Sequence, residues 1–243
     1  MIVIEMFSGI GGFRLGLERG IIKNLPAEVE KGCEKEAKQE AGIETRQSSE
    51  LTDRGRNRLF SCVWANDNDK YAGQIYRKRF GNEELHEGDI RAVDADGIPD
   101  HDLLCAGFPC QSFSIAGKRR GFEDTRGTLF FEICRVLRAK RPSYLLLENV
   151  KGLLSADMGA IFQTILVSLD ELGYDLQWQV LNSKDFGVPQ NRERVFIVGH
   201  LRGKPRPKVF PIGETDEIYN ESPQELREQV SNILRTNYGK AGS

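Results

Sequence analysis

Cys110 sits in the run Gly107-Phe108-Pro109-Cys110-Gln111-Ser112-Phe113-Ser114, directly behind an apolar stretch that ends in Gly107. Pro109 has a fixed φ and restricts the residue before it, so the backbone entering Cys110 is stiff and presents the thiol. The other four cysteines read differently. Cys105 and Cys134 fall inside apolar runs, Cys62 opens one, and Cys33 lies in a charged stretch. An odd number of cysteines, with no C-x-x-C pair and no histidine at ligand spacing, gives neither a disulfide framework nor a zinc site. Taken alone, Cys110 is either a reactive thiol or an inert turn cysteine.

A second group bears on that choice. Tyr144-Leu145-Leu146-Leu147 leads into Glu148-Asn149-Val150 and ends an apolar run in a carboxylate. Partial desolvation there would raise the pKa of Glu148, as a general acid requires, although a helix-capping acid would look similar. A third group is Pro189-Gln190-Asn191-Arg192-Glu193-Arg194. In an extended segment Arg192 and Arg194 project to the same side, a geometry suited to base oxygens or phosphates, and equally to an ordinary basic edge strand.

The turn Phe7-Ser8-Gly9-Ile10-Gly11-Gly12-Phe13 follows the first apolar run. Its glycines let the backbone approach a ligand, and a helix starting there presents free N–H groups. The third glycine of G-x-G-x-x-G is missing, because Arg14 occupies its place. Trp64-Ala65-Asn66-Asp67 then offers a carboxylate to a ribose diol, and Gly88-Asp89-Ile90 offers another acid beside an apolar surface suited to adenine. Together these favour an adenosine-type cofactor.

The elements that would carry these groups alternate. Apolar runs at 2–6, 62–65, 103–107, 144–148, 177–181 and 195–199 read as strands, and the segments 13–19, 71–80, 129–140 and 161–172 read as helices. This is the pattern of an α/β chain with a parallel, doubly wound sheet, whose ligands bind beyond the carboxyl ends of the strands. Residues 1–200 form one expected core. It is interrupted at 23–60 by a charged insertion with eight Lys/Arg and eight Asp/Glu, and followed at 201–243 by an irregular tail.

The 243 residues are 39% hydrophobic and 29% charged, with a formal net charge of -2, so any polyanion must meet a local basic patch. The segment 111–127 supplies one, with Lys118-Arg119-Arg120 between glycines at 117 and 121. No run approaches the ~20 apolar residues of a membrane span, and the first residues do not resemble a signal peptide. A soluble, cytoplasmic protein without a membrane partner is expected.

FSGIGGF, the Asn-Asp ending of the second strand, GDI, GFPCQSFS, RGTLFFEI, LLLENV and PQNRERVF occur in an order that resembles the DNA (cytosine-5) methyltransferases. The resemblance runs from Ile2 to Gly199 outside the insertion. It implies a mostly parallel sheet of the S-adenosylmethionine-dependent, Rossmann-like type. It also implies methyl transfer to C5 of a flipped-out cytosine in double-stranded DNA. Cys110 would then be the nucleophile, Glu148 the acid that engages cytosine N3, and Arg192 with Arg194 the groups that orient the base and the catalytic loop. S-adenosylmethionine would lie over Phe7, Gly9, Gly11, Asp67, Asp89 and Ile90. Asn68 stands where relatives often have an aromatic residue beside the adenine. DNA contacts are expected from Pro109, Gln111, Ser112, Lys118, Arg119, Arg126 and Gln190, and no metal is expected.

Two alternatives stay open: a non-catalytic DNA-binding or regulatory module with the same fold, and an RNA cytosine-5 methyltransferase. Members of the resembled family usually continue past the arginine block into a target-recognition domain and a returning helix. Only 44 residues follow Gly199, rich in proline and polar residues. The expectation is therefore a second polypeptide carrying both missing parts, and little or no methyl transfer by this chain alone.

Overall fold

In the computed structural model the described residues are 1–20, 60–109, 129–205, 209 and 212. Seven strands form one sheet: β1 (Ile2–Met6), β2 (Ser61–Asp67), β3 (Leu85–Glu87), β4 (Leu103–Gly107), β5 (Tyr144–Val150), β6 (Tyr174–Asn182) and β7 (Glu193–Leu201), in the order β3-β2-β1-β4-β5-β7-β6. The helices are α1 (Gly12–Gly20), α2 (Lys70–Phe80), α3 (Leu129–Lys140) and α4 (Ala160–Glu171).

Alternation along the strands divides the core between two faces. Ile4, Met6, Leu104, Ala106, Leu145 and Leu147 pack with Phe130, Ile133 and Leu137 of α3 and with Phe162, Ile165 and Leu169 of α4. On the other face Val3, Leu103 and Cys105 meet Phe13 and Leu17 of α1, while Ala65 and Leu85 meet Tyr76 of α2. With both faces covered, the central strands have no polar side to show, which is why they read as continuous apolar runs.

Arg14, where a third glycine was missing, is buried and ties α1 to α2. Its guanidinium donates to Tyr76 Oη at 3.1 Å, pairs with Glu18 at 3.0 Å and Glu84 at 3.4 Å, and lies 4.4 Å from the Phe80 ring centre. Asp69 caps α2 by accepting from Tyr71 N–H and Ala72 N–H, and Arg77, Lys78 and Arg79 complement the dipole at its other end.

The mostly parallel, doubly wound sheet is as expected, and three details differ from the sequence reading. The sheet is parallel through β3, β2, β1, β4 and β5, but β7 runs antiparallel to both β5 and β6. Residues 183–192 between β6 and β7 are too few for a crossover and allow only a hairpin-like return. The strand β3 was missed because it has three residues, of which only Leu85 is buried. Arg194 lies within β7 rather than before it, because the β5 ladder extends to the pair Val150↔Arg194. Among the described residues no helix is long and apolar enough to cross a membrane.

Candidate functional site

The strand order reverses between β1 and β4, where a doubly wound sheet opens a crevice at its carboxyl edge. On the β1 side the turn is built by backbone geometry. Phe7 has φ 55°, Gly9 φ 53° and Gly11 φ 80°. A left-handed phenylalanine is a strained residue held by its surroundings, here by Ser8 N–H donating to the Asn66 carbonyl at 3.0 Å and by packing of the ring on the core. A Cβ on Gly11 would stand 2.3 Å from Phe80, whereas a Cβ on Gly9 would meet nothing within 4 Å. Gly11 is thus required by packing, and Gly9 faces open space.

Asp67 secures this turn. One carboxylate oxygen accepts from Gly9 N–H at 2.7 Å and the other from Asp69 N–H at 2.8 Å. Asn66, 2% exposed, donates to the carbonyls of His86 and Gly88 and so fixes the start of the segment bearing Asp89. Asp89 caps the short 3-10 turn Ile90–Ala92 and holds the Arg91 guanidinium, with Nη2 2.5 Å from Oδ2. Hydrogen bonds from Arg91 keep its carboxyl down at about 2. Ile90, the residue after Asp89, is buried.

Sequence reasoning missed Glu5. Its side chain is 1% exposed, and Oε1 accepts from Phe13 N–H at 3.1 Å and Arg14 N–H at 3.4 Å, so a strand residue caps α1. Among the described residues Oε2 is buried with no hydrogen-bond partner, as is Ser8 Oγ. Burial disfavours the charge and pushes the Glu5 carboxyl up to about 7, against the lowering effect of the two N–H groups. The signal was a single charge inside the apolar run Ile2–Met6.

Glu148 organises the other side. It pairs in register with Gly107 of β4 and Phe196 of β7. Arg194 Nε lies 2.9 Å from Glu148 Oε1, with the two side chains 20% and 24% exposed. The carboxylate therefore faces a guanidinium instead of standing alone among apolar residues. A Cβ on Gly107 would meet Glu148 Oε2 at 3.5 Å and Phe13 at 3.7 Å, so this glycine leaves room between the acid and the start of α1. Asn149, also missed as a separate residue, is 3% exposed and bonds to the Phe108 carbonyl.

Pro109 and Gln190 are exposed at the rim of this side. Arg192 donates its backbone N–H to Asn182 Oδ1 at 3.1 Å, and its side chain is exposed. Cys110, Gln111, Ser112, Lys118, Arg119 and Arg126 lie outside the described residues, as does the insertion apart from Phe60. Among the described cysteines, burial pushes the thiols of Cys62 and Cys134 up to about 11 and about 12 and raises that of Cys105 well above its ordinary value, which makes all three poor nucleophiles. No group of three or more potential ligands is placed to hold a metal ion among the described residues.

The turn fits an adenosine-type cofactor on its own terms. Among the described residues it offers open space at Gly9, buried polar atoms without partners at Glu5 and Ser8, and carboxylates at the end of β2 and after β3, the latter next to buried Ile90.

A family model for C-5 cytosine-specific DNA methylase matches residues 1–241. The chain is 46% identical over 196 residues to the type II methyltransferase M.NgoBI of Neisseria gonorrhoeae, covering 81% of this chain and 49% of that protein. It is 42% identical over 195 residues to M.HhaI of Haemophilus parahaemolyticus, covering 80% and 47%. It therefore spans about half the length of these curated relatives. Among solved structures, the Dnmt2 methyltransferase of S. pombe superposes with a TM-score of 0.58 at 24% identity, covering 85% of this chain and 52% of that one, a likeness of fold. With a family match over nearly its whole length, this chain belongs to the C-5 cytosine-specific DNA methylases.

Proposed function

We propose that this chain provides the cofactor-binding and catalytic core of an enzyme that transfers a methyl group from S-adenosylmethionine to C5 of a flipped-out cytosine in double-stranded DNA. The observation that carries the reading is Glu148, paired with Arg194 at 2.9 Å and abutting Gly107, three residues before Cys110. Phe7, Gly9, Gly11, Asp67, Asp89 and Ile90 would hold the cofactor, with the two carboxylates available to ribose and adenine. The bound cofactor supplies an electrophilic methyl group.

Cytosine C5 is too weak a nucleophile to take that group unaided. Cys110 as thiolate forms a bond to C6 while Glu148 delivers a proton or strong hydrogen bond to N3, and electron density gathers at C5. After methyl uptake a base removes the C5 proton. Its bonding pair restores the C5–C6 double bond, the S–C6 bond breaks with return of the thiolate, and N3 returns its proton. Arg194 fixes the carboxylate of Glu148, and Arg192 on the rim faces the incoming base. Flipping costs a few kcal/mol. Contacts from Lys118, Arg119 and Arg126, together with Pro109, Gln111, Ser112 and Gln190, would recover it on the duplex. A second polypeptide, and with it little or no transfer by this chain alone, is expected from the sequence and finds no support in the comparisons.

The test is transfer of a labelled methyl group to duplex DNA and to structured RNA. Label at cytosine C5 in DNA, lost in Cys110→Ser, is expected. Label in RNA alone, or label that survives the substitution, would overturn the reading.

A further inference from the structure

Asn149 has both ends of its amide engaged. Nδ2 donates to the Phe108 carbonyl at 2.8 Å, and Oδ1 accepts from Val150 N–H at 2.8 Å. The partners fix its orientation, because a flipped amide would oppose donor to donor and acceptor to acceptor. The bond lies just beyond the parallel ladder, whose last register pair is Gly107↔Glu148. There the chain reaches Pro109, which has no N–H with which to continue a ladder. A side-chain donor takes over at the point where backbone pairing ends.

The Phe108 backbone is held from a second direction as well. Its side chain is 3% exposed and its ring centre stands 5.5 Å from that of Phe130. Glu148 and Asn149 are consecutive on β5, so their side chains leave by opposite faces. Glu148 extends over the space that a Cβ on Gly107 would fill, and Asn149 reaches Phe108.

We propose that Asn149 is a positioning residue that ties the backbone entering Cys110 to the strand presenting Glu148, so that thiol and carboxylate share one frame. This rests on the proposed roles of Cys110 and Glu148. Asn149→Asp keeps the acceptor for Val150 N–H and removes the donor to Phe108, and Asn149→Ala removes both. Hydrogen exchange is measured on peptides covering 103–113 and 2–13, together with cofactor affinity and the rate of adduct formation on duplex DNA carrying 5-fluorocytosine. The expected result is faster exchange in 103–113 alone, an adduct rate about tenfold or more lower, and cofactor affinity unchanged within about twofold. Unchanged exchange in 103–113 would overturn the proposal. So would faster exchange in both peptides with a parallel loss of cofactor affinity, the mark of a merely structural role. If the wild-type protein forms no adduct, the reading of Cys110 falls instead, and the exchange experiment alone decides whether the tie exists.

Discussion

On the β1–β2 side of the site, carboxylates are held mainly by backbone: Glu5 by the first N–H groups of α1, and Asp67 by Gly9 and Asp69. On the β5–β7 side, Glu148 is held by a guanidinium from a strand running the opposite way. Parallel strands that end together leave helix starts and turns to do the holding, which suits a ligand to be cradled. The reversed strand β7 carries Arg194 in along the sheet beside Glu148, at the edge where Cys110 follows β4. Loss of a holding group should accordingly weaken cofactor binding on one side and chemistry on the other.

The largest expected effect is on the β5–β7 side. Glu148→Gln removes the group proposed to activate cytosine and should lower methyl transfer about 10²–10⁴-fold, with cofactor affinity preserved. An equal fall in cofactor affinity, measured by calorimetry, would erase the division between the two sides.

Glu5 offers the next test. Its carboxyl rises from 4.5 to about 7 on folding, so between those values the folded protein binds more protons than the unfolded one. Stability from this group is present below pH 4.5 and is lost as pH rises through about 7, by as much as about 3 kcal/mol. Urea titrations at intervals across that range should show the decline in the wild-type protein and a flatter profile in Glu5→Gln. Identical profiles would mean that Glu5 does not titrate there.

Asp67→Ala should weaken cofactor binding by about 1–3 kcal/mol, because ribose hydroxyls and Gly9 N–H both lose an acceptor. Unchanged calorimetric affinity would remove Asp67 from the cofactor site. The smallest effect concerns Arg91, which holds Asp89 in an exposed pair. Arg91→Ala should free that carboxylate and tighten cofactor binding about twofold, whereas weaker binding would make Arg91 a contact in its own right.

The sequence made the central sheet legible because strands covered on both faces are long apolar runs, and it placed Glu148 and the glycine turn at the carboxyl edge. It could not show that Arg194 would sit inside β7, since that follows from a reversal set by the short β6–β7 connection. Nor could it show Glu5 as a helix cap or Asn149 as a tie. Both act across space on backbone groups eight and forty-one residues away, and their side-chain types alone carry no such information. The Arg14 position shows the converse: a departure from a glycine pattern marked a buried ion-pair network.

The most direct measurement is covalent trapping. Duplex DNA carrying 5-fluorocytosine at its target, incubated with the protein and S-adenosylmethionine, retains fluorine at C5 where a proton would leave, so the adduct cannot resolve. Mass spectrometry of the digested complex should locate a stable bond between Cys110 Sγ and cytosine C6, absent in Cys110→Ala. An adduct that persists in Cys110→Ala, or methyl transfer to unmodified duplex by that variant, would contradict the assignment.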